Sequence, residues 1–264
     1  LLVQQAAVPL VATSANPSGR PLIFEDEIAQ QDGWELADAL LIHDRPIIVP
    51  VDDSVLRLTP KAQIPIWLRR ARGMAPLFTQ GSPEHLAAGT LAMGADLKGA
   101  FTWTHQQQVY VSQYYGDLQQ YETQVRYRAG IDHFLRLFRR KPTRILVDMH
   151  PDYFSHRHGA MLAEAHGVSI QKIQHHEAHL AAVLGENDLL QTHEPVLGVV
   201  WDGTGWGTDG HIWGGEFFRY DVGEITRYCH FAYFPVIAGD KMAREPRLSA
   251  LAILHELPQA TTAL

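Results

Sequence analysis

The sequence predicts an α/β fold on three observations. Short apolar segments bounded by proline and glycine recur in the first third, a helically spaced stretch runs over residues 118–140, and strand and helix signals alternate over 145–220. Within residues 1–78, positions 8–13 read as a short apolar strand, 14–20 (SANPSGR) as a polar turn and 36–42 as a buried segment. Residues 45–58 alternate strand with the acidic turn Asp52-Asp53-Ser54, and 66–70 runs into the basic, glycine-containing segment 69–73. Small polar residues place a linker over 79–90.

Beyond it, residues 90–93, 100–103 and 109–113 read as antiparallel strands, the first two joined by a glycine turn at 94–99. The long helix has Leu118, Tyr121, Val125, Ile131, Leu135 and Phe138 near one face, Gly130 as a weak point and Pro142 as its stop. Strand 145–149, helix 158–166 before Gly167, strand 169–173 and helix 175–184 before Gly185 follow. Strand 196–202 then leads through a glycine loop to a return strand at 212–220.

With 264 residues, 46% hydrophobic and 19% charged, the chain is long and apolar enough for one large domain or two medium ones. Lys and Arg number 22 against 29 Asp and Glu, a formal charge of −7. Residues 1–80 hold 7 basic and 9 acidic groups and the remainder 15 and 20, so neither part offers the basic field that nucleic acid requires. Apolar runs fall far short of the roughly 18 residues that span a bilayer, and no signal segment opens the chain. A soluble, membrane-free protein is expected. One cysteine, Cys229, excludes an internal disulfide, fits the cytoplasm, and is expected to be buried and inert. The opening Leu and the stop after an apolar helical stretch read as cuts at both ends.

Two constellations could carry chemistry. In His175-His176-Glu177-Ala178-His179, residues four apart share a helix face, so His175 and His179 can aim at one ion while His176 turns away. With 15 histidines in the chain, chance alone supplies about 0.8 such pairs. A zinc-protease helix would place its glutamate directly after the first ligand, which this one does not. The second is 201–210 (WDGTGWGTDG), where Asp202 ends an apolar strand and Gly203, Gly205 and Gly207 could bring backbone amides close to an anion; an ordinary hairpin fits as well. Two imidazoles with the Asp202 carboxylate form a donor set for iron or zinc. Lys98, in the turn 94–99, either holds a phosphate or tips a solvated hairpin. Ser14 and Asn16, with Arg69, Arg70 and Arg72, either cradle a nucleotide or form plain turns.

In this order the motifs resemble the HypF-type carbamoyltransferases that mature nickel–iron hydrogenases. TSANPSG (13–19), DDSVLR (52–57) and RRARGMAP (69–76) resemble the closing half of a YrdC-like α/β domain. GADLKGAF (94–101), DMHPDY (148–153), HHEAH (175–179) and DGTGWGTDG (202–210) resemble the first lobe of a Kae-type domain of the actin-like ATPase fold, over residues 91–264.

The resemblance implies that His175, His179 and Asp202 ligate a divalent metal, iron or zinc, and that Asp202 and Lys98 serve catalysis. It implies further that Lys98, Gly203, Gly205 and Gly207 meet phosphate, and that Ser14, Asn16 and Arg70 line the YrdC nucleotide pocket. ATP, with Mg, and carbamoyl phosphate would be substrates. Carbamate released from carbamoyl phosphate would attack ATP to give carbamoyl-adenylate, and the carbamoyl group would pass to the C-terminal cysteine of a hydrogenase-maturation partner. O-carbamoylation of a small molecule, or an inactive actin-like scaffold that binds nucleotide, are the alternatives. The family's acylphosphatase-like domain, CxxC fingers and second ATPase lobe are not in these residues, so the piece is expected to be inactive alone.

Overall fold

A computed structural model describes residues 2–16, 22–33, 37–80, 87–239 and 241–257. The chain divides into two compact units, Leu1–Val147 with Pro151–Gln171, and Asp148–His150 with Lys172–Leu264.

The first unit opens with the short helices α1 (Leu2–Ala6) and α2 (Asp26–Asp32) and the antiparallel pair β1 (Val55–Leu58) and β2 (Pro65–Arg69). Asp52 pairs with Arg69 at 2.8 Å, Ser54 Oγ accepts from the Ala71 amide and donates to the Arg72 carbonyl, both at 2.9 Å, and the Arg72 amide donates to the Asp52 carbonyl. The acidic turn and the basic segment are therefore one structural unit. Two expected elements are absent. Residues 8–13 form no strand and Val11 is 99% exposed; over 37–42 of the segment read as buried, the chain is irregular and Leu41 is 90% exposed. Apolar composition alone predicted both, but a strand needs a neighbour for its backbone groups, and none among the described residues pairs with them.

The rest of the unit is built on a six-stranded sheet in the order β3 (Leu77–Gln80), β6 (Gln108–Val111), β5 (Thr102–His105), β4 (Thr90–Ala92), β7 (Arg144–Asp148) and β8 (Ser169–Ile173). Adjacent strands among the first four run antiparallel to one another, and β4 pairs parallel with β7. The expected linker is thus only partly a connection: Thr79 and Gln80 pair along β6, Thr90 starts β4, and 81–86 lie outside the described residues.

Helix α3 (Tyr121–Phe138) buries Tyr127, Ile131 and Phe134 beside Leu91, Trp103, Leu118 and Ile145, while Tyr121 and Val125 are exposed. Phe101 meets Phe134 and Tyr127 edge-on at 4.9 and 5.7 Å. Gly130, the expected weak point, is where the Tyr115 hydroxyl lies against the helix; a Cβ there would sit 1.9 Å from that oxygen. Helix α4 (Phe154–His166) begins four residues earlier than expected. Buried Asp96, from the glycine turn, accepts the Phe154 and Ser155 amides at 2.8 and 3.0 Å and satisfies the first turn.

In the second unit, α5 (His175–Glu186) packs Leu180 and Leu184 against an antiparallel sheet of β9 (Val196–Trp206), β10 (Ile212–Asp221) and β11 (Glu224–His230). Val200, Trp213, Phe218 and Tyr220 line the covered face; Leu197, Val199 and Trp201 of the same apolar run are exposed, since alternate strand residues face opposite ways. Cys229 in β11 is also exposed, correcting the expectation of burial. The short helices α6 (Lys241–Arg244) and α7 (Pro246–Glu256) complete the described chain. No helix among the described residues is long and apolar enough to cross a membrane.

Candidate metal centre

Strand β9 is longer than its apolar run: it extends through 203–206, where Gly205 and Trp206 pair with Trp213 and Ile212 beyond an irregularity in register, and the turn proper is confined to 207–211. Asp202 therefore lies within a strand, and it meets α5 there. Its Oδ2 lies 3.0 Å from His175 Nε2 and 3.4 Å from His179 Nε2, and the two imidazole nitrogens are 3.2 Å apart. One atom from each of the three residues falls within a 4.8 Å cluster. Two imidazoles and one carboxylate, half-buried to exposed, fit a divalent ion and leave coordination positions open.

Sequence reasoning gave no role to Asp148. Its carboxylate is 7% exposed; Oδ2 lies 2.7 Å from His175 Nδ1, and Oδ1 accepts the His150 amide at 2.8 Å. The hydrogen bond to Asp148 outweighs burial and raises the His175 pKa, with Asp202 adding to the effect. With its proton on Nδ1, facing Asp148, His175 has a lone pair at Nε2 for an ion. The strand-end position that singled out Asp202 was equally present at Asp148.

His176 turns the other way, as helical spacing predicts. It is fully buried, burial lowers its pKa, and it lies under the glycine strand. A Cβ on Gly205 would sit 2.4 Å from His176 Cε1, and one on Gly207 2.2 Å from Trp213 Nε1, whereas Gly203 has open space. The Gly203 amide donates to Asp202 Oδ1 at 2.8 Å and the Gly207 amide to the His211 carbonyl at 2.9 Å. Two of the three glycines are thus required by packing, and Gly203 offers room more than a free amide.

The hairpin turn is locked by Asp209. It accepts from Trp213 Nε1 at 2.8 Å, the His211 amide at 3.1 Å, Tyr233 Oη at 2.6 Å and Arg227 at 3.0 Å. Burial pushes its pKa up, but these donors, Tyr233 first, hold it well below the usual carboxylate range. Arg227 lies 3.9 Å over the Trp213 ring and pairs with buried Glu216 at 2.6 Å.

The remaining expected residues lie in the first unit. Lys98 is exposed at the tip of the turn 94–99, with φ +55°, a left-handed conformation uncommon for lysine. Exposed Ser14 and half-buried Asn16 share a turn in which the Asn16 amide donates to the Ser14 carbonyl at 3.1 Å; 17–21 lie outside the described residues. Arg70 follows β2, its carbonyl accepting the Tyr114 amide at 2.8 Å.

Comparison with known proteins matches these elements in order. Residues 1–71 match the Sua5–YciO–YrdC model, described as "Telomere recombination", 85–186 the HypF Kae1-like domain, and 198–263 the second subdomain of the carbamoyltransferase Kae1-like domain. The carbamoyltransferase HypF of Synechocystis sp. is 39% identical over 254 residues, 96% of this chain and 32% of that protein. The chain belongs to the HypF family. HypF2 of Cupriavidus necator is likewise 39% identical, over 97% of this chain and 31% of its own length. A crystal structure of full-length HypF in the phosphate- and nucleotide-bound form matches with a TM-score of 0.79 at 31% identity, covering 92% of this chain and 37% of that one. That of T. kodakarensis HypF matches at 0.79 and 34%, covering 92% and 31%. The chain thus spans about a third of the length of the HypF relatives it matches.

Proposed function

We propose that this chain supplies the carbamoyl-transfer site of a HypF carbamoyltransferase. Water would cleave carbamoyl phosphate to carbamate and inorganic phosphate, a carbamate oxygen would attack the α-phosphorus of ATP to give carbamoyl-adenylate and release pyrophosphate, and the carbamoyl group would pass to the C-terminal cysteine of a hydrogenase-maturation partner as the source of the cyanide ligands. The observation that carries this reading is the convergence of His175, His179 and Asp202, with Asp148 behind His175. The names of the relatives and the phosphate- and nucleotide-bound state of one solved relative support it.

In this reading residues 1–78 are the closing part of the YrdC-like domain, where Ser14, Asn16 and Arg70 face the nucleotide. Residues 91–264 are the first part of the Kae-type domain, with the stretch between β3 and β4 connecting them. His175, His179 and Asp202 would hold iron or zinc, whose charge when bound polarises an acyl carbonyl. Asp148 retains the His175 proton on Nδ1, keeping Nε2 available. In the second unit the open space at Gly203 suits a phosphate; in the first, the exposed Lys98 ammonium is a separate phosphate-pairing group; magnesium would accompany ATP. In the transfer, a bond forms between the partner's sulfur and the carbamoyl carbon. The bond from that carbon to the phosphate oxygen breaks, and AMP leaves with the electron pair. The reaction belongs in the cytoplasm, where the partner thiol stays reduced.

The test uses the full-length protein. Carbamoyl phosphate should drive ATP cleavage to AMP and pyrophosphate, and label from carbamoyl phosphate should reach the partner's cysteine. Asp202→Ala should abolish labelling while sparing adenylate formation. Labelling at the normal rate by that variant would refute the assignment.

A further inference from the structure

Gln174 precedes α5 and is 2% exposed, with its whole amide engaged. Oε1 accepts the His176 and Glu177 amides at 2.6 and 3.0 Å, capping the helix. Nε2 lies 3.2 Å from the Trp206 carbonyl and 3.2 Å from His176 Nδ1. Helix caps favour Ser, Thr, Asp or Asn, whose short side chains reach the first-turn amides without further length. A glutamine adds reach and two donors. Here the donors cross to β9, four residues along the strand from Asp202, and to a histidine between the two candidate ligands.

The helix carrying His175 and His179 is therefore tied to the strand carrying Asp202 by one buried side chain. The 3.0 and 3.4 Å separations between those imidazoles and Asp202 span the same two elements. Among the described residues, Nε2 of His176 is buried with no hydrogen-bond partner, so the Gln174 amide is the polar contact that fixes this ring beneath Gly205. We propose that Gln174 is a positioning residue that presets the spacing between the histidine pair and Asp202 before an ion binds. The proposal rests on the reading of those three residues as a cation site.

Gln174→Ser separates the two halves of the contact. Serine caps well but cannot reach Trp206, so the cap survives and the tie is lost. A second variant, Gln174→Glu, keeps the length and the acceptors but turns a carboxylate toward the Trp206 carbonyl. In metal-free protein, both should speed amide hydrogen exchange across 203–206 by about tenfold, while the His176 and Glu177 amides stay within about threefold of wild type. In a Co2+ titration followed by visible absorption, Gln174→Ser should weaken binding by about tenfold and alter the band shape, as loss of a supporting contact does at other metal sites. Unchanged exchange over 203–206 in both variants would overturn the tie. Faster exchange with wild-type Co2+ affinity and spectrum would overturn the presetting role. Wild-type protein giving no Co2+ absorption would remove the cation reading itself, and the exchange measurement still decides whether Gln174 holds helix to strand.

Discussion

Asp148 Oδ2 lies 2.7 Å from His175 Nδ1, so a carboxylate at the end of β7 sets the tautomer of the imidazole whose other nitrogen faces Asp202 at 3.0 Å. Removing that acceptor frees the ring to rotate and to carry its proton on either nitrogen. Asp148→Ala is expected to lower Zn2+ or Co2+ affinity by about 10–100-fold, measured by competition with a chromophoric chelator. Asp148→Asn should lose less, because its amide oxygen still accepts from Nδ1. An asparagine variant as weak as the alanine one would show that the negative charge, and not the acceptor, carries the effect.

His175→Ala and His179→Ala should each remove a donor and weaken ion binding strongly, with little effect on folding from the exposed His179. His176→Ala should do the reverse. Its ring is fully buried beneath Gly205, so truncation leaves a cavity and is expected to cost about 2–4 kcal/mol in urea unfolding, with a smaller loss of ion affinity. Equal loss of affinity in all three variants would contradict the division of the helix into a ligand face and a packing face.

That division was legible in the sequence, because four-residue spacing fixes which helical side chains share a face. Strand 169–173 was also legible, with Ile170 and Ile173 following the stop at Gly167, and so was the long helix before Pro142. Residues 8–13 and 37–42 were misread, since apolar content marks what could be buried and not whether a partner strand is present. The early start of α4 depends on Asp96, 58 residues away from Phe154, and no local pattern encodes so distant a cap. The same limit hid Gln174, whose role exists only because β9 passes close enough for Trp206 to receive its amide. Gly203, Gly205 and Gly207 looked alike in sequence; the side chain opposite each one distinguishes them.

The hairpin lock makes a prediction in pH. Asp209 has a pKa below that of an unfolded aspartate, so it stabilises the folded state above about pH 3.9. That contribution is lost as pH falls through the depressed folded value. The melting-temperature difference between wild type and Asp209→Asn should therefore be constant between about pH 7 and 5 and shrink below about pH 4. Tyr233→Phe, which removes one of the four donors, should show a smaller difference of the same sign. A difference that grows on acidification would mean that the carboxylate is not held ionised by these donors.

The glycines of β9 separate packing from ligand access. A methyl group at residue 205 would sit 2.4 Å from His176 Cε1, against a ring with no room to retreat in the buried core. Gly205→Ala should therefore destabilise the protein by about 1–3 kcal/mol, read as a lower urea midpoint at unchanged slope. At Gly203 the same methyl meets nothing within 4 Å, and the backbone there is extended strand, so Gly203→Ala should leave stability within about 0.5 kcal/mol of wild type. Its methyl would nevertheless occupy the space beside Asp202 in which a phosphate is proposed to sit. In the full-length protein, ATP affinity should fall for Gly203→Ala at unchanged melting temperature. Unchanged ATP affinity would remove Gly203 from the phosphate site, and a loss of stability matching that of Gly205→Ala would show that the space beside it is filled in solution.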